Sequence, residues 1–147
     1  MNHTISKPLL EGYLLEETAK SMKKAFAKKL TKLKVEVTVD QWIILDQLSL
    51  NGAQSQYSLC LKTSKDAPTI TRIIDLLEKK DLVARNIDPK DRRKFLISLS
   101  RKGKSIAGKI RPHNSNFRDL CYKGLNGKEL SVLKKALQTI NSNLEKI

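Results

Sequence analysis

Lys65, Pro68, Thr69, Thr71 and Arg72 fall within eight positions, and Lys90, Arg92, Arg93 and Lys94 within five. The first group mixes a guanidinium with hydroxyls. An arginine fork can donate two hydrogen bonds to the O6 and N7 acceptors of a guanine, and threonine hydroxyls and the free amides at a helix start suit phosphate oxygens. The second group is almost pure cation, and arginine is favoured where a narrow minor groove makes the potential most negative. Both chemistries answer to double-stranded DNA. Bland readings stand beside them: Arg72 could pair with Asp75 or Glu78 on its own helix, and the second group could be a solvated charged turn. Asp91 sits inside the cationic run and is expected to pair with an arginine, shaping the loop and leaving Arg93 free to reach outward. Catalytic chemistry finds no residues. The chain has no paired carboxylates, Ser-His or Cys-His set, or phosphate-binding glycine loop, so no enzyme activity is expected. His3 and His113 are isolated, and two cysteines are too few for a zinc site or disulfide framework, so neither metal nor cofactor is predicted. Cys60 is expected to fill a packed slot. Cys121 is read as a buried inert thiol, with a place near a dimer seam as the alternative.

The elements that must position these groups are readable from periodicity. Leu10, Tyr13, Leu14, Met22, Phe26, Leu30 and Leu33 recur at spacings of three and four, predicting a first helix over about 8–34 with Pro8 in its first turn. Thr38-Val39-Asp40-Gln41 is a capping-box pattern opening a second helix, whose core side is Trp42, Ile44, Leu45 and Leu48 and whose stop is Asn51-Gly52. A short third helix is expected over about 54–62. Asp66 then caps a fourth, with Pro68 in its first turn, Ala67, Ile70, Ile73, Ile74 and Leu77 inward and Pro68, Thr71, Arg72 and Asp75 outward. From Leu82 the pattern alternates. Residues 82–87 and 94–99 read as two strands around the tip Asp88-Pro89-Lys90-Asp91-Arg92-Arg93. Ser100 caps a fifth helix containing Pro112. A last helix, starting at Asn126, carries Leu130, Leu133, Leu137, Ile140 and Leu144 as a heptad seam.

Charge agrees with the placement. Lys and Arg number 29 against 15 Asp and Glu, a net +14 over 147 residues. Ten basic and two acidic residues lie between Arg85 and Arg111, and seven lysines without an acid between Lys20 and Lys34. Two basic segments on a near-neutral body suit a polyanion partner, although the Lys20–Lys34 run alone could equally be a solubilising face. No apolar run approaches the ~20 residues that span a bilayer, and no signal-peptide core opens the chain, so a cytoplasmic protein without membrane contact is expected.

Helix, short helix, turn, helix and basic hairpin is the order of a winged helix-turn-helix, in which the second helix of the pair enters the major groove. The residues that carry the order also resemble one family. Pro68-Thr69-Ile70-Thr71-Arg72-Ile73-Ile74-Asp75-Leu76-Leu77-Glu78-Lys79-Lys80, Asp88-Pro89-Lys90-Asp91-Arg92-Arg93 and Leu99-Ser100-Arg101-Lys102-Gly103 are similar to the MarR family of bacterial regulators. Leu59-Cys60, Gln41-Trp42 and the Leu125…Glu129-Leu130 start of the last helix fit as well. The expected fold is mainly α with a small β-hairpin wing. It forms one domain over 1–147, with a winged core at about 38–99 and dimerisation helices at about 8–34 and 101–147. The resemblance implies a homodimer seamed by Leu10, Leu14, Leu130, Leu133, Leu137, Ile140 and Leu144. It further implies a palindromic operator, and a repressor released by a small-molecule inducer or an oxidant. Arg93 matches the wing arginine of the family. Asp81 stands where the family usually has the glycine that turns left-handed after the recognition helix, and Lys65 replaces a usually apolar residue. The competing function is an architectural protein that coats DNA by charge alone.

Overall fold

The computed structural model of the chain describes residues 3–147, with side chains from Tyr13 onward. The element order is α1 (His3–Lys32), α2 (Val39–Asn51), α3 (Gln56–Thr63), α4 (Ala67–Lys79), β1 (Val83–Asp88), β2 (Asp91–Leu99), α5 (Arg101–Cys121) and α6 (Gly127–Leu144). The mainly α reading with a hairpin wing holds. Two compact units emerge, Met1–Ser115 and Asn116–Ile147, with α5 crossing the boundary.

In the first unit the core gathers under the helix-turn-helix. The α2 face of Trp42, Ile44, Leu45 and Leu48 is buried as predicted, and so are Ile70, Ile73, Ile74 and Leu77 of α4. Leu59 joins them from α3, and Leu82, Val83 and Ile97 from the root of the hairpin. Fully burying one such aliphatic side chain contributes about 1.5–3 kcal/mol, so these residues fix the angle at which α4 leaves the body. The helix ends follow their side chains. Thr38 and Gln41 complete a reciprocal capping box, and Asp66 accepts the Thr69 amide at 2.8 Å. Ser100 Oγ accepts the Gly103 amide at 2.9 Å, and α5 continues through Pro112 without a break.

Several expectations need correction. The first helix begins at His3, five residues ahead of Pro8, which is therefore not in its first turn. Ala67 is exposed rather than core, because the first turn of α4 projects beyond the packed face. Gln54 does not open α3. Its amide and carbonyl pair with Ile97 at 3.0 and 2.7 Å, so it adds a single-residue third strand to the wing, and Ser55 caps α3 instead. The Gln54 side chain is buried and satisfied: its amide donates to the Gln47 carbonyl at 2.9 Å, and its oxygen accepts from Ser58 and Lys62. Cys121 is exposed in the isolated chain, not buried, and Cys60 is half-buried.

Asp81 takes the left-handed conformation, with φ of 59°. A Cβ there crowds the following carbonyl, which is why glycine is usual at this turn. The Asp81 side chain is exposed, so its removal breaks no buried contact. Asp81→Gly is therefore expected to stabilise the protein by about 0.5–1 kcal/mol, the strain relieved exceeding the added unfolded-state entropy. A higher urea midpoint at unchanged slope is the expected reading; a lower midpoint would show that the aspartate holds the turn.

In the second unit α6 is capped by Asn126 and Glu129, which form another reciprocal box. None of its side chains is buried.

Candidate nucleic-acid interface

The first turn of α4 projects from the core with its outward side bare. Pro68, Thr71 and Arg72 are exposed and Thr69 is half-buried. Hydrogen bonds from Thr69 hold the Asp66 carboxyl below its usual range, with the Arg72 guanidinium adding a smaller pull in the same direction. Thr71 Oγ1 accepts from Gln56 Nε2 at 3.0 Å, which ties the two helices of the pair at their outer edge. Asp75 and Glu78, the acids that could have engaged Arg72, both face Arg85 at the root of β1. Among the described residues no ion pair engages Arg72, so its fork projects outward with the hydroxyls.

Lys65 is not part of that surface. Its ammonium is 2.8 Å from Asp40 Oδ1, which Lys23 also approaches at 3.0 Å, and its side chain is mostly covered. The reason is sequence distance: Asp40 stands 25 residues earlier, in the first turn of α2, and only the fold brings it under the turn. Partial burial raises the Asp40 carboxyl, and the bonds from Lys65 and Lys23 outweigh it, leaving the group below its ordinary value. A carboxyl held low stabilises the fold above the unfolded value of about 4 and loses that contribution as pH falls through the folded value. Asp40→Asn is therefore expected to lower stability at pH 7 and to shrink the difference from the parent below pH 4. Parallel thermal melts across pH 3–7 test this; a constant difference would mean that the ion pair is idle.

The wing departs from the expected loop. β1 and β2 run almost to the tip, leaving Pro89-Lys90 as a two-residue turn, with Asp88 Oδ1 accepting the Lys90 amide at 2.9 Å. Ile87 stands opposite Phe95, yet its neighbour Asp88 stands opposite Asp91. Arg92, Arg93 and Lys94 are the residues in excess, so the three cations bulge from the ladder rather than lie in the turn. All three are exposed. Asp91 does pair with an arginine, but the arginine is Arg93 itself: Asp91 Oδ1 accepts its backbone amide at 3.1 Å and its Nε at 3.2 Å. These bonds, the backbone one foremost, hold the Asp91 carboxyl below its usual range. Arg93 is thus aimed rather than free, with its side chain still 90% exposed.

Sequence reading missed a second exposed set. Ser55, Gln56 and Tyr57 at the start of α3 and Lys94 and Phe95 on β2 line one shallow cleft. Tyr57 is 73% exposed and Phe95 52%. A phenol, an amide and an ammonium beside a ring can meet a sugar-phosphate strand by hydrogen bonding, charge and stacking. The only signal was a tyrosine among polar residues in a helix too short to show periodicity. Among the described residues no helix is long and apolar enough to cross a membrane.

Comparison with known proteins places this geometry. Residues 37–95 match the profile of the MarR family. Over 109 residues the chain is 29% identical to the HTH-type transcriptional repressor NicR of Pseudomonas putida, covering 74% of this chain and 69% of that repressor. It superimposes on BpsR of Bordetella bronchiseptica, whose DNA binding is regulated by 6-hydroxynicotinic acid, with a TM-score of 0.79. That match has 25% identity over 88% of this chain and 91% of BpsR. On a MarR variant from E. coli complexed with operator DNA the TM-score is 0.81, at 21% identity over 93% and 97% of the two chains, a likeness of fold. The helix-turn-helix and the wing up to Phe95 match the profile and the helix order is a likeness of fold, so the chain is similar to the MarR family of transcription regulators.

Proposed function

We propose that the protein is a sequence-specific double-stranded DNA-binding regulator. In this reading it is a homodimeric repressor that binds a palindromic operator and is released by a small-molecule ligand. One observation carries the reading: the exposed first turn of α4, with Pro68, Thr69, Thr71 and Arg72, belongs to the same unit as an arginine aimed from the wing by Asp91. One reads base edges and the other holds the backbone or minor groove, a division of labour that charge-only binding does not require. The repressor part is supported by likeness to NicR, the operator part by likeness to the MarR–operator complex, and the ligand part by BpsR.

The dimer is supported by apolar surface. On α6, Leu133, Ile140 and Leu144 are exposed and Leu130 and Leu137 half-buried along one stripe. On α1, Tyr13, Leu14 and Leu15 are exposed, while Leu10 lies outside the residues whose side chains are described. An 18-residue helix that buries nothing is marginal in water, and a contiguous apolar stripe marks an association surface. Sedimentation equilibrium should give twice the chain mass, and Leu137→Glu should halve it. A folded monomer for the parent protein at micromolar concentration would remove the dimer, and with it the two half-sites about 34 Å apart.

Competition titration tests operator reading. DNA selected by the protein from genomic fragments should be bound at least about 10³-fold more tightly than random duplex at the same salt. Equal affinity would favour the architectural coating protein instead.

A further inference from the structure

The seven lysines between Lys20 and Lys34 take a definite shape on α1. Lys20, Lys24, Lys28 and Lys32 recur at every fourth residue and all four are exposed, while Phe26 and Leu30 on the other side of the helix are buried. Residues four apart are neighbours on a helix surface, so the four side chains stand in one row about 18 Å long. No acid interrupts the chain from Lys20 to Lys34. Among the described residues no ion pair engages any of the four. Like charges at this spacing destabilise a helix, and a face kept for solubility interleaves both signs. The row therefore opposes the fold that carries it. Its place is equally definite. Lys23, next to Lys24, donates to Asp40 Oδ1 at 3.0 Å, the same oxygen that Lys65 reaches at 2.8 Å. Lys65 directly precedes Asp66, the cap of α4. Lys20, Lys23, Lys24 and Asp40 line one concavity at this junction. A basic track thus leads from the exposed turn of α4 back along α1.

We propose that this row binds the sugar-phosphate backbone of duplex DNA outside the half-site that α4 reads. Lysine is a point charge on a flexible stem, suited to phosphates and indifferent to base sequence. Laid along a duplex, a row of about 18 Å spans about five phosphates of the nearer strand. Other occupants fit less well. A second copy of the chain brings the same row and the same net +14. A small anion meets one or two of four charges spread along an exposed helix face that encloses nothing. The contact rests on the DNA-binding reading and enlarges it: affinity then depends on DNA of no fixed sequence next to the half-sites, and each added ammonium releases counterions of its own.

Gel-shift titration tests this with two fragments, one ending at the half-sites and one carrying about ten further base pairs of arbitrary sequence on each side. The longer fragment is expected to bind at least about tenfold more tightly. Lys20→Gln, Lys24→Gln, Lys28→Gln and Lys32→Gln combined should abolish that gain and leave the short fragment within about twofold. On the long fragment the combined variant should also cut the slope of log affinity against log salt by about three to four. Lys123→Gln, Lys128→Gln, Lys135→Gln and Lys146→Gln together remove the same charge from the second unit and should keep the gain. The row variant should unfold at no lower urea concentration than the parent, because like-charge contacts are relieved. Were it to misfold, Lys20→Gln with Lys24→Gln should still lose about half the gain on a logarithmic scale. An absent gain, a gain that survives the row variant, or an equal loss in the second-unit variant overturns the contact. A short fragment weakened as much as the long one places the row inside the half-site and overturns it as well. A parent protein that binds operator and random duplex equally sinks the regulator reading alone. The row then stands or falls on long random duplex, where its variant must bind more weakly than the second-unit variant.

Discussion

Replacing Gly103 by alanine is expected to destabilise the fold by about 3 kcal/mol, at the upper end of what overpacking a tight site costs. A Cβ at this position would lie 2.0 Å from the Leu82 carbonyl oxygen, 3.0 Å from its carbon and 3.3 Å from Leu99 Cδ2. No rotamer relieves a clash with backbone. Nor can the backbone drift cheaply, because the Leu82 carbonyl accepts the Ser100 amide at 3.0 Å, and Ser100 Oγ bridges the Asp81 carbonyl to the Gly103 amide. The crossing of α5 over the chain entering β1 is stitched by Ser100, three residues ahead of the glycine. Gly108, five residues on in the same helix, has nothing within 4 Å of an added Cβ. Gly108→Ala is therefore the matched control, expected to stabilise by about 0.5–1 kcal/mol through helix propensity. Urea unfolding of both variants reads the contrast. Equal midpoints would mean that the close crossing is absent in solution.

The second large effect concerns DNA. Arg72→Ala is expected to weaken operator binding by about 1–3 kcal/mol, roughly five- to 150-fold, and to flatten base preference at one position in each half-site. Arg93→Ala should weaken operator and random duplex alike and reduce the slope of log affinity against log salt by about one. The separation follows from placement, since Arg72 leaves a helix turn beside two hydroxyls and Arg93 leaves a bulge in a hairpin. Asp91→Asn is the informative companion. It weakens the bonds that aim Arg93 without deleting its charge, so it should lower affinity while leaving most of the salt slope. Gel-shift titrations at two salt concentrations distinguish the three. If Arg72→Ala lost affinity equally on every sequence, the α4 turn would be a phosphate contact and not a reader.

What the chain revealed in advance was local. Thr38 with Gln41 and Asp66 each announce a helix start, and both caps form as written, while the last helix is capped at the Asn126 where it was expected to start. The inward face of α4 was legible for the same reason, since a period of 3.6 is carried by the helix alone. What escaped was made by contacts between distant segments. Lys65 reads as an exposed cation until Asp40 arrives from α2. Asp75 and Glu78 read as neighbours of Arg72 until Arg85 takes both from the root of β1. Gln54 pairs through one residue of backbone, which leaves no alternation to detect. Arg92, Arg93 and Lys94 were expected in the turn and stand in a bulge instead, because a register shift depends on which residues of the partner strand lie opposite.

The Gln54–Ile97 bridge gives the wing the mechanics of a cantilever. Its root is clamped: Val83 and Ile97 are buried, and two backbone bonds tie Ile97 to the helix-turn-helix. Beyond Ile97 the residues of β2 back to Arg92 are exposed or half-buried; Leu96 and Phe95 pair with β1, and Arg92, Arg93 and Lys94 bulge from the ladder. A beam fixed at one end deflects most at the other, so the tip can follow the width and depth of a groove while the root keeps α4 still. Amide exchange should grade accordingly, slow at Ile97 and quickening toward Lys90. Compliance toward shape and rigidity toward sequence are then two ends of one hairpin.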